Sequence, residues 1–235
     1  MPLTERHVLI TGASAGIGAA TARRLAADGA RLTLVARREE RLQALAAELG
    51  NARIHVADVR DPEAFAALAD DVPDVLILNA GLARGTQIVQ HNTPAEVDDM
   101  IDTNIKGYLH LLRAFLPAMQ ARGTGDVVLL GSVAGRQVYP GGGVYCMTKH
   151  AVRALYESLR VDSAGHGIRF TTVDPGMVET EFSDVRLGDA DKAKAVYAGF
   201  DALQPDDIAD VIHFAVTRPA HVNLGELVVW PTAQA

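Results

Sequence analysis

Residues 11–18, with the sequence TGASAGIG, decide the fold. They follow a short apolar run, HVLIT at residues 7–11, which is typical of a buried strand, and they precede an alanine-rich segment, residues 16–27, which is typical of a helix. A glycine-rich turn between a first strand and a first helix lets the backbone approach a pyrophosphate, and the helix N-terminus offers unpaired N–H groups to it. The strand–turn–helix context therefore favours a dinucleotide-binding turn over a plain tight turn.

Outward from this turn, strand and helix patterns alternate along the chain. A capping box, Thr93 with Glu96, opens a long helix that runs to about Ala121. Because no hairpin signal interrupts the first four strands, the pattern predicts an α/β fold, a Rossmann-type doubly wound sheet of about seven mostly parallel strands. The further predicted strands are residues 31–36, 53–56, 75–78, 126–130, 168–173 and 227–230, and the further helices are residues 39–49, 144–164 and those opening near 61 and 204.

The 235 residues contain no linker and no internal repeat, which predicts a single domain over residues 1–235. Within it we expect a dinucleotide-binding half, about residues 1–130, and a catalytic and substrate half, about residues 131–235. A polar, glycine-containing segment at residues 182–199, with one short helical stretch, is predicted to form a lid or Ω-loop.

Composition excludes several classes of function. The net charge of −7 disfavours nucleic acid or an anionic membrane as partner, and no apolar run approaches the roughly 18 to 20 residues that span a bilayer. The single cysteine, Cys146, permits no internal disulfide, and the start of the chain lacks a signal-peptide pattern, so we expect a cytoplasmic protein. The eight histidines show no metal-ligand spacing, so a small molecule is the expected partner and no metal is implied.

The end of the second strand distinguishes between the two nicotinamide dinucleotides. An NAD site needs a carboxylate there for the ribose 2′-OH, whereas the chain has Ala36 followed by Arg37 and Arg38. Two guanidiniums can bind a 2′-phosphate with charge-assisted hydrogen bonds, which predicts NADP. The alternative is that these arginines merely pair with Glu39, Glu40 or other acids at the helix start.

A candidate catalytic group lies on the long helix at residues 144–164. Tyr145 and Lys149 are four residues apart, so they share a helix face, and an ammonium near a phenol favours the phenolate. Tyr145 can then exchange a proton with a substrate hydroxyl, and Ser132, which follows the fifth strand, can hold the substrate oxygen. A Tyr-x-x-x-Lys pair alone is equally typical of a solvated helix face.

The combination of TGxxxGxG, Ser132 and Tyr145-x-x-x-Lys149 resembles the short-chain dehydrogenase/reductase family, and the resemblance extends from Val8 to about Val229. It implies a catalytic tetrad completed by Asn104, which would support a water linking Lys149 to solvent. It also implies that Lys149 holds the nicotinamide ribose and lowers the pKa of Tyr145. The long helices at residues 93–121 and 144–164 resemble those that pair subunits, so a homotetramer or dimer is expected.

The same resemblance implies which residues contact the cofactor. NNAG in the family corresponds to Asn79-Ala80-Gly81 here, with Leu78 in place of the first asparagine, which we expect to alter packing only. Beside Tyr145, Lys149 and the arginines, the resemblance implies three groups of cofactor residues in the first half of the chain: Gly12, Ser14, Gly16, Ile17 and Gly18 at the pyrophosphate and adenine ribose, Asp58 and Val59 at the adenine, and Asn79, Ala80 and Gly81 at the end of the fourth strand. It also implies Pro175, Gly176 and Thr180, with the threonine hydroxyl bonding the nicotinamide carboxamide.

Within the family, residues 180–186, 219–223 and 230–232 resemble NADP-dependent 3-hydroxy acid dehydrogenases, including serine and allo-threonine dehydrogenases. A carboxylate substrate needs a cation, and we expect Arg186, in the lid, to bind it, because a guanidinium matches a carboxylate bidentately. Arg84 and Arg136 are alternatives, and Arg186 is otherwise a solvent-exposed lid residue. Two other functions stay open: a broad NADPH carbonyl or 3-oxoacyl thioester reductase, and a regulatory module that binds NADP without turnover.

Overall fold

The computed structural model describes residues 2–4 and 6–234. In these residues seven strands form one sheet in the order β3-β2-β1-β4-β5-β6-β7, and every neighbouring pair is parallel. The predicted doubly wound parallel sheet is confirmed, and the strand order reverses between β1 and β4. The strands are β1 (His7–Thr11), β2 (Arg31–Ala36), β3 (Ala52–Val56), β4 (Val75–Leu78), β5 (Gly125–Leu130), β6 (Ile168–Pro175) and β7 (Glu226–Val229).

Helices cover both faces of the sheet. Successive strand residues point to opposite faces, so Val8 and Ile10 pack with the helices of one face, while Leu9 packs with those of the other. The first face holds α1 (Gly16–Ala26), α2 (Glu39–Leu49) and α8 (Pro205–Val216); the second holds α4 (Gly107–Arg122), α5 (Gly143–Asp162) and a 3-10 helix (Pro62–Leu68). Burial on both faces explains why the central strands β1 and β4 are mostly apolar along their whole length.

The long helix predicted from residue 93 to about residue 121 is interrupted. It comprises α3 (Pro94–Ile101), a π-helical turn (Asp102–Lys106) and α4, with the predicted capping box of Thr93 and Glu96 at its start. Periodicity alone could not reveal the turn, because apolar residues continue through it. The turn lies where the buried Asn104 side chain faces the interior, and such turns are frequent at functional sites.

After β6 the chain crosses the carboxyl edge of the sheet. We call residues 180–199 the lid. Instead of the one helical stretch that the sequence indicated, the lid contains α6 (Phe182–Leu187) and α7 (Ala190–Ala195). A 2.6 Å hydrogen bond joins the Ser183 hydroxyl on α6 to the hydroxyl of Tyr197, which follows α7. Across the described part of the chain, none of the helices has the length and apolar character needed to cross a bilayer.

A buried charge cluster lies at the opposite, amino edge of the sheet. Asp126, at the start of β5, accepts hydrogen bonds from Arg6 at 2.6 Å and from Nη2 of Arg169 at 2.9 Å. The side chains of all three are at most 15% exposed, so the two cations compensate one desolvated carboxylate. The cluster ties the residue before β1 to β5 and β6.

Candidate active site

A cavity of about 880 Å³ opens at the carboxyl ends of the strands, where the strand order reverses. This is the position at which open parallel sheets bind ligands. Its lining comes from the turns after β1 to β6 and from the lid. The fold therefore brings residues that are far apart in the sequence to one cleft.

The glycine-rich turn lines one side of this cavity with backbone atoms, because its glycines carry no side chains. Gly12 has φ +67° and Gly16 has φ +51°, values that favour glycine. A side chain at Gly12 would come within 2.8 Å of Asn79 Nδ2, and one at Gly16 within 3.2 Å of Thr180 Cγ2. Since α1 begins at Gly16 with no side-chain cap and no acidic residue in its first turn, its N–H groups are available to an anion.

Gly18 has a different place from the one that the motif implied. It does not line the cavity; a Cβ there would clash with the carbonyl oxygen of Gly12 and approach Asn79 Nδ2 to 2.6 Å. Its role in the structure is close packing of α1 against the turn. Asn79 holds the same turn, because its Nδ2 donates to Thr11 O at 2.8 Å, and Leu78, the departure from the family pattern, is fully buried.

The end of the cavity beside β2 and β3 is rich in arginine. Arg37 lies 3.7 Å from Asp58, and Arg38 donates to Ser14 Oγ at 3.1 Å and to Glu181 at 2.8 Å. The alternative that these arginines pair with acids is therefore true in part, although their partners are Asp58 and Glu181. Partial burial acts to raise the pKa of Asp58, but hydrogen bonds from Arg60 hold it below its ordinary value.

Most of the other implied cofactor residues also line the cavity. They come from the turn after β1, from the ends of β3, β4 and β6, and from the start of the lid. They are Ile17, Val59, Ala80, Gly81, Pro175, Gly176 and Thr180.

Ser132, Tyr145 and Lys149 meet in the middle of the cavity. Ser132 Oγ accepts from the Ala134 N–H at 3.1 Å and donates to the Pro175 carbonyl at 3.4 Å, and its hydroxyl acts to lower the pKa of Tyr145. Lys149 Nζ donates to the Leu130 carbonyl at 2.7 Å and lies 5.9 Å from the centroid of the Tyr145 ring. The structure thus places together the three side chains that the spacing indicated.

The electrostatics of this group differ from the expectation. Burial raises the pKa of Tyr145 above its ordinary value, opposed by the hydrogen bond with Ser132 and by the positive charge of Arg186. Burial also lowers the pKa of Lys149 to about 8, and the Asp174 carboxylate opposes that shift. Arg186 is therefore one cation that favours the Tyr145 phenolate in this structure. That Lys149 lowers the pKa of Tyr145 stays a prediction.

Asn104 acts through its neighbours. Its fully buried side chain accepts from the Leu82 N–H and donates to the Leu82 carbonyl, both at 2.8 Å, and donates to Thr148 Oγ1 at 3.0 Å. Thr148 Oγ1 in turn donates to the Tyr145 carbonyl at 2.8 Å. Asn104 thereby joins the π-helical turn to the loop after β4 and to the start of α5, which carries Tyr145. The water that Asn104 would support stays a prediction.

Arg186 projects from the lid into the other end of the cavity. It donates to Gly85 O at 3.0 Å, to Tyr139 Oη at 3.0 Å and to Gly141 O at 3.4 Å, and its guanidinium carbon lies 5.4 Å from the Tyr139 ring centroid. All three acceptors are neutral oxygens. Within residues 2–4 and 6–234, no carboxylate forms an ion pair with Arg186, so it is a cation without a compensating charge at the cavity wall.

The two alternative arginines differ from Arg186 because carboxylates compensate their charges. Arg84 lines the cavity but is paired with Asp99 at 3.1 Å. Arg136 is not in the lining: it pairs with Asp174 at 2.7 Å and with Glu226, on the side of β6 toward β7. Those two carboxylates compensate the charge of Arg136, so the structure does not favour it as the substrate cation.

Sequence reasoning missed several lining residues. Phe182 lies with its ring centroid 5.5 Å from that of Tyr145, and Gln137, Tyr139 and Tyr197 also line the cavity. They lie on loops and on the lid, where no motif marks them. Among the described residues no group of His, Cys, Asp and Glu could hold a metal ion, and Cys146 is buried away from solvent.

Comparison with known proteins agrees with this geometry. The sequence model of the short chain dehydrogenase family matches residues 6–191. This chain belongs to the short-chain dehydrogenase family. As a member of that family, it is an oxidoreductase with a single α/β domain, and its sequence resemblance is confirmed.

Members of the short-chain dehydrogenase family with similar sequences have related names. The chain is 46% identical over 239 residues to sulfoacetaldehyde reductase 2 of Chromohalobacter salexigens, covering 97% of this chain and 95% of that one. It is 40% identical over 237 residues to the NADP-dependent 3-hydroxy acid dehydrogenase YdfG of Escherichia coli, covering 97% and 96%. A solved structure, the closed form of serine dehydrogenase complexed with NADP+, matches with a TM-score of 0.95 and 40% identity over 97% of this chain and 96% of that one.

Proposed function

We propose that this protein is an NADP-dependent oxidoreductase that interconverts the secondary alcohol of a small 3-hydroxy acid with its carbonyl form. One observation carries the proposal: the cavity holds Ser132, Tyr145 and Lys149 together with Arg186, a cation whose partners are neutral. A substrate that presents a hydroxyl to the first three and a carboxylate to Arg186 satisfies both ends of the site.

The residues of the cavity fit NADP as the cofactor. The bare turn at Gly12 and Gly16 and the uncapped start of α1 suit a pyrophosphate, and Arg37 and Arg38 suit a 2′-phosphate. Relatives named as NADP-dependent and a matching structure that holds NADP support the same assignment. The cofactor, when bound, supplies or accepts the hydride.

The chain's own residues manage the proton and the substrate oxygen. Tyr145 takes the hydroxyl proton during oxidation and returns it during reduction, while Ser132 holds the substrate oxygen. Lys149 binds the nicotinamide ribose, and Asn104 keeps α5 in register and supports the proton relay. Because burial raises the pKa of Tyr145, the tyrosine favours its protonated form in the protein alone.

Reduction of a sulfonated aldehyde is a second candidate activity. A relative that is 46% identical is named as a sulfoacetaldehyde reductase, and a sulfonate presents the same negative charge to Arg186 as a carboxylate. The open alternatives are a broad carbonyl or 3-oxoacyl thioester reductase and an NADP-sensing module. A broad reductase would not require an uncompensated cation such as Arg186 in its cavity. A sensing module would not require the catalytic side chains of Tyr145 and Lys149.

A substrate panel tests these proposals. Purified protein is assayed with NADP and NAD against 3-hydroxy acids, uncharged secondary alcohols, sulfoacetaldehyde and 3-oxoacyl thioesters, in both directions. We expect turnover with NADP and the highest kcat/KM for a small anionic substrate. Equal kcat/KM for charged and uncharged alcohols would favour the broad reductase, and binding of NADP without any turnover would favour the sensor.

Assembly and location follow the same proposal. We propose a cytoplasmic homo-oligomer, a tetramer or dimer, that pairs through α4 and α5. Leu109 on α4 and Met147 on α5 support it, since their side chains are 41% and 49% exposed in one chain. Within the chain, the division into a nucleotide half, about residues 1–130, and a catalytic and substrate half, about residues 131–235, is also part of this proposal.

A further inference from the structure

Glu181, the second residue of the lid, bridges two arginines at the nucleotide end of the cavity. Its Oε2 accepts from Arg38 Nη1 at 2.8 Å, and its Oε1 accepts from Arg41 Nη1 at 2.6 Å. The two arginines belong to the segment that leads from β2 into α2, so this one carboxylate ties the lid across the mouth of the cleft to α2. The neighbouring Thr180 lies over the glycine-rich turn, where a Cβ at Gly16 would approach its Cγ2 to 3.2 Å.

Arg38 is also the residue that we assign to the 2′-phosphate. It lines the cavity, and its Nε is already fixed by Ser14 Oγ at 3.1 Å. Two anions on one guanidinium repel each other, so the phosphate and Glu181 cannot both bind it at full strength. A phosphate monoester carries a charge of about −1.5 to −2 and three acceptor oxygens, against −1 and two for a carboxylate, so the phosphate is the stronger ligand.

We propose that Glu181 is an internal competitor for the 2′-phosphate of the cofactor: its carboxylate occupies the Arg38–Arg41 pair whenever the phosphate does not, and arrival of the phosphate frees the lid. This inference rests on the proposed use of NADP. A 2′-hydroxyl carries no charge and does not displace the carboxylate, so the lid responds to NADP and not to NAD. Hydrogen bonds from Arg38 and Arg41 hold the pKa of Glu181 below its ordinary value, which keeps it charged at neutral pH.

The first test uses nucleotide halves that lack the nicotinamide. Binding of adenosine 2′,5′-bisphosphate and of 5′-AMP is measured by calorimetry for the wild type and for Glu181→Gln. Since each half-exposed ion pair contributes modestly, we expect Glu181→Gln to bind the bisphosphate about 3- to 10-fold more tightly. Binding of 5′-AMP should stay within about twofold of the wild type.

Glu179→Gln is the matched control. It removes the same charge two residues earlier, where the carboxylate contacts Gln204 at 3.2 Å and no arginine of α2. It should leave both affinities unchanged. Weaker or unchanged binding of the bisphosphate to Glu181→Gln would overturn competition, as would an equal gain for 5′-AMP or an equal gain in Glu179→Gln.

The second test measures how easily a protease cleaves the lid. Lys192 and Lys194 lie exposed on α7, so trypsin cleavage there, mapped by mass spectrometry, reports how firmly the lid is held. Without ligand, Glu181→Gln should be cut faster than the wild type and Glu179→Gln. In the wild type, adenosine 2′,5′-bisphosphate should speed the cut and 5′-AMP should not.

The two failures are distinguishable. If the wild type binds the bisphosphate no better than 5′-AMP, the assignment of NADP fails, and the ligand-free cleavage still decides whether Glu181 tethers the lid. If the bisphosphate is preferred but lid cleavage is the same in the wild type and Glu181→Gln, the tether is wrong while the cofactor assignment stands. Protection of the wild-type lid by the bisphosphate also contradicts the inference.

Discussion

The guanidinium of Arg186 donates a 3.0 Å hydrogen bond to the phenol of Tyr139. This contact, with those to two backbone carbonyls, orients a lid residue toward the catalytic group without neutralising it. The charge of Arg186 also acts on Tyr145: burial raises the pKa of this tyrosine, and the positive charge of Arg186 opposes that increase. A single arginine thus faces both the expected anionic end of the substrate and the proton-transferring phenol.

The first prediction concerns Arg186. Replacing it with alanine removes charge-assisted hydrogen bonds to the substrate anion, so the KM for 3-hydroxy acids should rise at least about tenfold. The KM for an uncharged secondary alcohol should be unchanged. Steady-state kinetics on both substrate types measure the difference.

Arg84→Ala is the control, because Arg84 lines the same cavity but is compensated by Asp99. It should raise the KM for hydroxy acids much less. If Arg84→Ala has the larger effect, or if Arg186→Ala impairs charged and uncharged substrates equally, Arg186 is not the anion-binding residue.

The second prediction concerns the phenol of Tyr145. Tyr145→Phe removes the proton donor and acceptor while keeping the ring, so kcat should fall about 10²- to 10⁴-fold with cofactor affinity retained. Tyr139→Phe removes the same atom from the cavity wall and should keep most of the turnover. Comparable losses of kcat in the two variants would show that Tyr145 has no special part in proton transfer.

Much of the site was predictable because the motif residues lie where parallel strands end. Gly12, Asn79, Ser132 and Pro175 follow or end β1, β4, β5 and β6, and strand ends of a parallel sheet meet at one edge. The predicted strand ends were therefore sufficient to predict that these four residues lie close together. The four-residue spacing of Tyr145 and Lys149 likewise predicted that their side chains lie on the same face of one helix.

What the sequence could not supply depends on contacts between distant segments. Arg136 was a reasonable substrate cation until the structure showed Asp174 and Glu226 beside it. The pairing of Arg38 with Glu181 joins residues 143 positions apart. Gly18 follows the motif, but its function in packing α1 against Gly12 is visible only once both are placed.

The third prediction is a pH effect on stability that arises from Lys149. Burial lowers the pKa of Lys149 from 10.5 to about 8 in the folded protein. Between these values the unfolded chain binds more protons than the folded one, so the free energy of unfolding contributed by this group rises with pH. The gain across the window is on the order of 3 kcal/mol, and below pH 8 the full cost of burying the ammonium persists.

Lys149→Met isolates this contribution, because it keeps a chain of similar length and removes the charge. Urea unfolding at pH 7 should show the variant to be more stable than the wild type, and the difference should shrink by pH 9.5. A difference that stays constant between the two pH values would mean that Lys149 does not titrate in this range in the folded protein.

The fourth prediction concerns the charge cluster at the amino edge of the sheet. Asp126→Ala leaves Arg6 and Arg169 desolvated without a carboxylate, which should lower the free energy of unfolding by about 3 to 5 kcal/mol. Glu48→Ala breaks the exposed pair with Arg23, whose charges water solvates well, and should leave stability nearly unchanged. If urea titrations show equal losses in the free energy of unfolding for the two substitutions, burial does not determine the contribution of these ion pairs to stability. Because Asp126 lies near the start of β5 and Ser132 follows the end of that strand, folded Asp126→Ala protein should keep the wild-type KM. This separates the loss of stability from any change in the site.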